Sequence, residues 1–329
     1  MGKRKFRLLA LAVLAAAAVG TSMAALAADL KTDYDPAKAP SVVKPEEMKK
    51  IDAAMPKEAY VKPAKPRKLL VYVESKGYYH DSIPVGAYAI KKLGQATGAF
   101  EATLTDDDVN TWNAETLNQY DGIFMDNTVG DHPKSDQGRK DFVEYIKSGH
   151  GLMGCHAGAD CNHSWPEYAD MLGGEFTAHP WGKASVKNED PTSPLNKMFD
   201  GKGFVTNEEI YTFKTTDAKK PQGYGRDKLH VLLSIDYDAS AIKEKDNSRK
   251  DHDYALSWVH EYGKGHVFYC AIAHARYHFW NPIMLKHYLA GIQYALGDLT
   301  ADATPSAKIN PAPAIVAGPP ISSPTFDPK

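Results

Sequence analysis

Four histidines, His80, His156, His179 and His274, each follow a stretch that reads as a β-strand. In an open α/β sheet, ligands sit at the carboxyl ends of the strands, so residues in these positions are the first candidates for chemistry. A single histidine there is most simply a half-buried side chain bonded to backbone. Four placed alike point to a shared site. Imidazole is a common ligand for zinc and similar divalent ions, and His80, His156 and His179 are the expected metal set. A carboxylate such as Asp160 or Glu209 would complete an open site with room for water or substrate. The spacing matches no standard zinc pattern. His156, His274 and Asp160 are the expected catalytic set, with His274 moving the proton and Asp160 orienting or ligating; without a metal the same groups could exchange protons as general acid and base near neutral pH.

Gly154-Cys155-His156-Ala157-Gly158 has small residues two positions either side of His156. That is the packing requirement of a sharp strand-to-helix elbow. In this register His156 occupies the tip and Cys155 points back into the sheet, which argues against a thiol nucleophile. Aromatic residues recur nearby, and Tyr79, Trp165, Trp181 and Tyr211, with Glu209, are the expected substrate-binding set. Flat rings beside polar tips suit a sugar, although they suit an ordinary core equally well.

Positioning these groups requires a sheet. Lys68–Glu74 reads as a buried strand, followed by a helix from Pro84 with Ala87, Ile90 and Leu93 on one face. Strands at Phe100–Leu104 and Tyr120–Met125, a helix at Ser135–Ser148 stopped by Gly149, and a strand at Gly151–Gly154 continue the rhythm. This βαβα order predicts an α/β fold with a doubly wound, mostly parallel sheet covered by helices on both faces. Additional strands are expected in the second half, at Lys183–Asn188, Gly203–Phe213, Leu229–Ile235, Tyr254–His260 and His266–Ala273. A closing helix is capped by Asn281 and ended by Gly297.

The flanks differ in character. Residues 1–28 open with Lys3, Arg4, Lys5 and Arg7, run through an apolar stretch from Leu8 to Val19, and end in Ala25-Leu26-Ala27, the pattern of a secretory signal peptide. The apolar run is shorter than the roughly 20 residues that span a bilayer, so no stable membrane insertion is expected. Residues 29–66 form a leader rich in Pro and Lys, with a short helix possible at Pro45–Ala54. Residues 67–299 form the domain, and 300–329 a tail rich in Pro and Ala. The formal charge is −2 for all 329 residues, and removing four basic side chains with the signal peptide gives −6. A mildly acidic, periplasmic or secreted protein is a poor nucleic-acid binder. Three cysteines are too few for a disulfide-built fold; they read as buried thiols, with a Cys155–Cys161 pair as the alternative.

The chain resembles the ThuA-like, or trehalose-utilisation, family within the class I glutamine amidotransferase-like superfamily. The resemblance rests on Gly77-Tyr-Tyr-His80, Gly151-Leu-Met-Gly-Cys-His-Ala-Gly-Ala-Asp160, Leu172-Gly-Gly-Glu-Phe-Thr-Ala-His-Pro180, Glu208-Glu-Ile-Tyr211 and Ser257 through His274. It implies a flavodoxin-like sheet, and a link to disaccharide breakdown in which 3-keto sugars are suggested substrates. In true amidotransferases the elbow carries Cys and a Glu follows two residues after the partner His. Here those positions hold His156 and Arg276, which argues against glutamine hydrolysis. Family members often have Asp where this chain has Glu208, and Arg where it has His266.

Two readings follow. The first is an exported carbohydrate-processing hydrolase or lyase acting on a disaccharide, glycoside or 3-keto sugar through the histidine-rich site, with a divalent metal such as zinc as its possible cofactor. The alternative is a non-catalytic sugar-binding or assembly protein on the same scaffold. For the leader, mass spectrometry of exported material should find Ala28 or Asp29 at the amino terminus; retained Met1 would overturn the signal-peptide assignment.

Overall fold

The structure, a computed structural model, describes residues 30–179, 181–214, 223–237, 240 and 251–308, with only the backbone at 181–183 and 308. Residues 1–28, expected to be a signal peptide, and most of the tail lie outside these residues.

Strand β1 (Lys68–Tyr72) pairs in parallel with β2 (Glu101–Thr105) on one side and β3 (Gly122–Asp126) on the other. Next come β4 (Gly151–Cys155) and β11 (Gly265–Cys270), also parallel. Leu69, Leu70, Val71, Ile123, Phe124, Leu152 and Met153 are fully buried, as strands covered on both faces require. Beyond β11 the sheet continues antiparallel through β10 (Ala255–Tyr262), β9 (His230–Asp236), β6 (Trp181–Asn188) and β7 (Phe204–Glu209). The order is β2-β1-β3-β4-β11-β10-β9-β6-β7, so the first five strands follow the flavodoxin-like winding and the added strands extend one edge.

Helix α2 (Ile83–Thr97) buries Val85, Ala89, Ile90 and Leu93 and ends on Gly98 at φ 65°. Helix α4 (Asp136–Lys147) is capped by Ser135, whose hydroxyl accepts from Gly138 N at 3.0 Å. Helix α6 (Pro282–Ala295) starts on Asn281, whose Oδ1 accepts from Ile283 N and Met284 N at 2.9 and 3.2 Å. Two short helices, α3 (Ala114–Leu117) and α5 (Pro166–Leu172), have no counterpart in the sequence reading.

Two expectations are corrected. The elbow leads into one 3₁₀ turn, His156–Ala159, rather than a helix. The strand expected over Gly203–Phe213 breaks in two: β7 stops at Glu209, and β8 (Thr212–Phe213) pairs instead with β5 (Phe176–Ala178). At the break, Glu209 N donates to Glu208 Oε1 at 2.7 Å, so a side chain takes the donor where the strand ends.

The leader lies against the domain. Helix α1 (Pro45–Ala54) packs on α2 and on the 3₁₀ turn Arg276–Trp280. Thr105 Oγ1 donates to Lys31 O at 2.7 Å, and Gln293 of α6 holds Tyr60 N and Val61 O at 2.8 and 2.6 Å. At the other end, Ser306 N donates to Leu229 O at 2.9 Å. Among the described residues no helix is long and apolar enough to cross a membrane.

Helix α6 sits so close to β11 that a Cβ on Gly291 would lie 2.4 Å from three carbons of the buried Phe268 ring. Gly291→Ala should therefore cost about 1–3 kcal/mol, read as a lower denaturant midpoint at unchanged m-value.

Candidate functional site

The elbow fixes the first histidine. His156 has φ 38°, in the region that favours glycine, directly after β4. The small neighbours are needed: a Cβ on Gly158 would lie 3.0 Å from Met125 O, and one on Gly154 3.1 Å from Leu172 Cδ1. Cys155 turns the other way, with Sγ 3.4 Å from Asp126 Oδ1, and burial pushes its thiol well up. Cys161 is also free and buried, bonded to Gly158 O at 3.2 Å, so the two cysteines have separate partners. A buried thiol of raised pKa is a poor nucleophile.

His156 Nδ1 lies 3.2 Å from Ala271 O. Both ring nitrogens face acceptors, since a carbonyl and a carboxylate each only accept; Nδ1–H to Ala271 O is the tautomer that would leave the Nε2 lone pair to a cation. Nε2 lies 3.0 Å from Glu209 Oε2 and 3.3 Å from His274 Nδ1. His274 Nδ1 is itself 2.8 Å from the same Glu209 oxygen. His80 completes the group, its ring edge-on to His156 and His274 at centroid distances of 4.9 and 5.3 Å. Donor atoms of His80, His156, Glu209 and His274 all lie within 4.8 Å of one another.

Each member arrives on a different element. His80 comes from the loop after β1, which can press on Val129 because a Cβ on Gly77 would lie 2.4 Å from Val129 Cγ1. His274 follows β11. Glu209 ends β7, the far edge strand, so the antiparallel half of the sheet must curl over the carboxyl ends of the parallel half to bring it here. Burial alternates along β7: Glu208 faces inward, with Oε2 2.7 Å from His278 Nε2 and Oε1 accepting from Ala275 N at 3.3 Å. Glu208 thereby ties the end of β7 to the loop that carries His274.

The electrostatics follow from this packing. Burial opposes ionisation of Glu209, but its bonds to His156 and His274 outweigh that and hold the carboxyl well below the usual range. Burial would lower His274, yet the Glu209 bond raises it. For His156 burial wins and the net direction is down. His80 is pulled down to about 3, by burial first and then by His156 and His274. Its Nδ1 is buried with no hydrogen-bonding partner.

The other expected residues fall in several places. His179, placed in the metal set from sequence, lies outside the four-donor group: its Nδ1 is 2.8 Å from Glu209 Oε1, and its side chain is 49% exposed. Asp160 is also outside. It sits at the end of the 3₁₀ turn and bonds His163 Nε2 at 2.8 Å, while His163 Nδ1 bonds Glu175 Oε1 at 2.7 Å and Glu175 pairs with Lys214. Tyr211 is buried against the His156 ring at 4.0 Å, so it forms a wall of the site rather than an open platform. Tyr79 is half-buried, beside Tyr34 of the leader. Trp165 is 8% exposed and packs on Phe142 and Tyr168 beneath Arg139, with no ring contact to the histidines. Trp181 pairs through its backbone with Glu209, and its side chain lies outside the described residues.

Two features escaped the sequence reading, and Tyr78, one of the aromatics that cluster near the site in sequence, stands outside the expected substrate-binding set. Tyr78 is 67% exposed and its ring meets His80 at 4.8 Å, making it the open aromatic beside the group. Its neighbour Tyr79 was chosen instead, because adjacent aromatics carry no sign of which one faces out. The Glu208–His278 pair and the hub position of Glu209 are the two that were missed. The double glutamate at a strand end was the available signal, since period-2 alternation must send one side chain inward.

The family model described as trehalose utilisation matches residues 68–295. Among solved structures, a ThuA-like protein from Bacteroides uniformis superposes with TM-score 0.56 at 22% identity, covering 72% of this chain and 94% of that one. Another, from Parabacteroides merdae, gives TM-score 0.51 at 14% identity, covering 73% and 93%. At these identities the structural likeness carries the fold alone. A search of curated proteins returns no match. The match across 68–295 spans more than half of the sequence, and on that ground the chain belongs to the ThuA, or trehalose-utilisation, family.

Proposed function

We propose that this protein is an exported carbohydrate-processing enzyme whose site holds a divalent metal between His80, His156, Glu209 and His274 and acts on a disaccharide, glycoside or 3-keto sugar. The observation that carries the reading is the triangle formed by His156 Nε2, His274 Nδ1 and Glu209 Oε2, with sides of 2.8, 3.0 and 3.3 Å. Ligands at about 2.0–2.1 Å from a tetrahedral ion stand about 3.3 Å apart, so these donors need only small shifts to bind one. Ala271 O can accept from Nδ1 of His156 when Nε2 binds the ion, the outer support that ligand histidines use. His80 supplies a ring held neutral.

A bound divalent ion would polarise a carbonyl or hydroxyl oxygen of the sugar. His179 takes the proton. It is half-exposed and anchored through Nδ1 to Glu209 Oε1, the arrangement of a base oriented by a carboxylate. In a 3-keto sugar the carbonyl acidifies the C2–H: as that proton passes to His179 the C1=C2 double bond would form, the C1–O bond would break, and the departing oxygen would take a proton from His179 or from water. His179 and His274 thus exchange the roles expected from sequence, because Glu209 separates the first from the ligand group and draws the second into it. The burial of Trp165 and Tyr211 weakens the alternative of a sugar binder with an open aromatic platform.

Purified untagged protein should take up about one equivalent of zinc or cobalt, and His156→Ala and Glu209→Ala should lose it. Turnover of trehalose or its 3-keto derivative should fall on chelation and in His179→Ala. Turnover that ignores chelators would overturn the metal role.

The histidines also set a pH response. His80 has a folded pKa of about 3, below its ordinary unfolded value of about 6.5, so below pH 6.5 the unfolded chain binds a proton that the folded chain does not. Its contribution is full above about pH 6.5 and is lost as pH falls toward about 3. Metal-free His80→Asn should therefore show a shallower fall of Tm between pH 6.5 and 4 than the parent; parallel curves would refute the assignment.

A further inference from the structure

We propose that Arg276 and Glu47 form a clasp that sets the spacing of His80 and His274, which makes the leader part of the site; the proposal rests on the metal-site reading above. Arg276 stands two residues after His274, and its side chain is 17% exposed. Its guanidinium has five N–H groups, and all five have an acceptor. Nε donates to Glu47 Oε1 at 2.8 Å and Nη2 to Glu47 Oε2 at 2.5 Å, a two-pronged bond. Nη2 also donates to Val42 O at 3.0 Å, and Nη1 donates to Ser41 Oγ at 3.1 Å and to the carbonyl of Asp81.

Three segments therefore meet on one planar group: the leader at 41–47, the loop after β11 that bears His274, and the loop after β1, held at the residue that follows His80. Glu47 is itself fixed, because Oε2 accepts from Lys44 N at 2.8 Å at the start of α1. The position of His80 needs such help. His274 is oriented by Glu209, whereas His80 Nδ1 has no bond to orient its ring, so main-chain placement must do so. Lysine cannot replace the clasp, since an ammonium has three donors and no plane.

The test uses the mature full-length chain and cobalt(II), followed by visible absorption. Arg276→Lys and the milder Glu47→Gln should each weaken cobalt binding about 10- to 100-fold and alter the ligand-field bands, while thermal unfolding stays cooperative. Folded variants with unchanged affinity and spectrum would overturn the clasp. If the parent protein takes up no cobalt, the metal reading fails separately, and the clasp is read from the ring Cε1–H NMR signals. Movement of His80 and His274 in Glu47→Gln, with the buried His287 unmoved, supports it; no movement of either refutes it.

Discussion

The carboxylate of Glu209 is the point on which the rest of the site depends. One oxygen meets His156 and His274 and the other meets His179, on a side chain only 12% exposed. Packing three imidazoles together costs solvation, and any that take up protons repel one another; a shared carboxylate offsets both. Removing one partner of a buried charged pair typically costs about 3–5 kcal/mol, because the other is left uncompensated. Glu209 thus constrains the fold as well as the chemistry, since the site exists only if an edge strand reaches it.

That demand explains the second half of the molecule. A five-stranded parallel sheet already brings His80, His156 and His274 to one edge, but it supplies no carboxylate among them. The antiparallel strands deliver one. Their last member, β7, ends in two glutamates that divide the work by strand alternation: Glu208 bonds inward to His278 and to the loop at Ala275, while Glu209 faces the histidines. The side chain of Glu208 also takes the N–H of Glu209, and the chain then departs for the small β5–β8 sheet.

The parallel half of the fold was legible in the sequence because its signals are local. Leu69–Val71 and Leu152–Met153 are apolar runs bounded by turns, and Asn281 is a cap with a mechanism. The elbow was legible for the same reason, since Gly154 and Gly158 state a steric need that two particular neighbours confirm. What lay hidden depends on long-range geometry. The curl that brings Glu209 to His156 follows from pairing among β10, β9, β6 and β7, and no residue near Glu209 announces it. Asp160 lies only four residues from His156, yet one 3₁₀ turn places it with His163. Trp165 carries the same aromatic signal whether it lines a site or, as here, packs on Phe142 and Tyr168.

The residue at the elbow tip decides which side chain the end of β4 presents. When Cys occupies the tip, its thiol faces the partner histidine and can attack. With His156 at the tip, Cys155 is carried to the opposite side of the strand, where burial beside Asp126 holds it as a neutral thiol. The tip then presents an imidazole nitrogen in place of a thiol. At the position two residues after the partner His, a carboxylate would orient that ring; Arg276 turns instead to the leader, and the orienting role passes to Glu209 from a different element. The parallel core thus brings three of the four converging donors to one edge, and only the added strands bring the fourth.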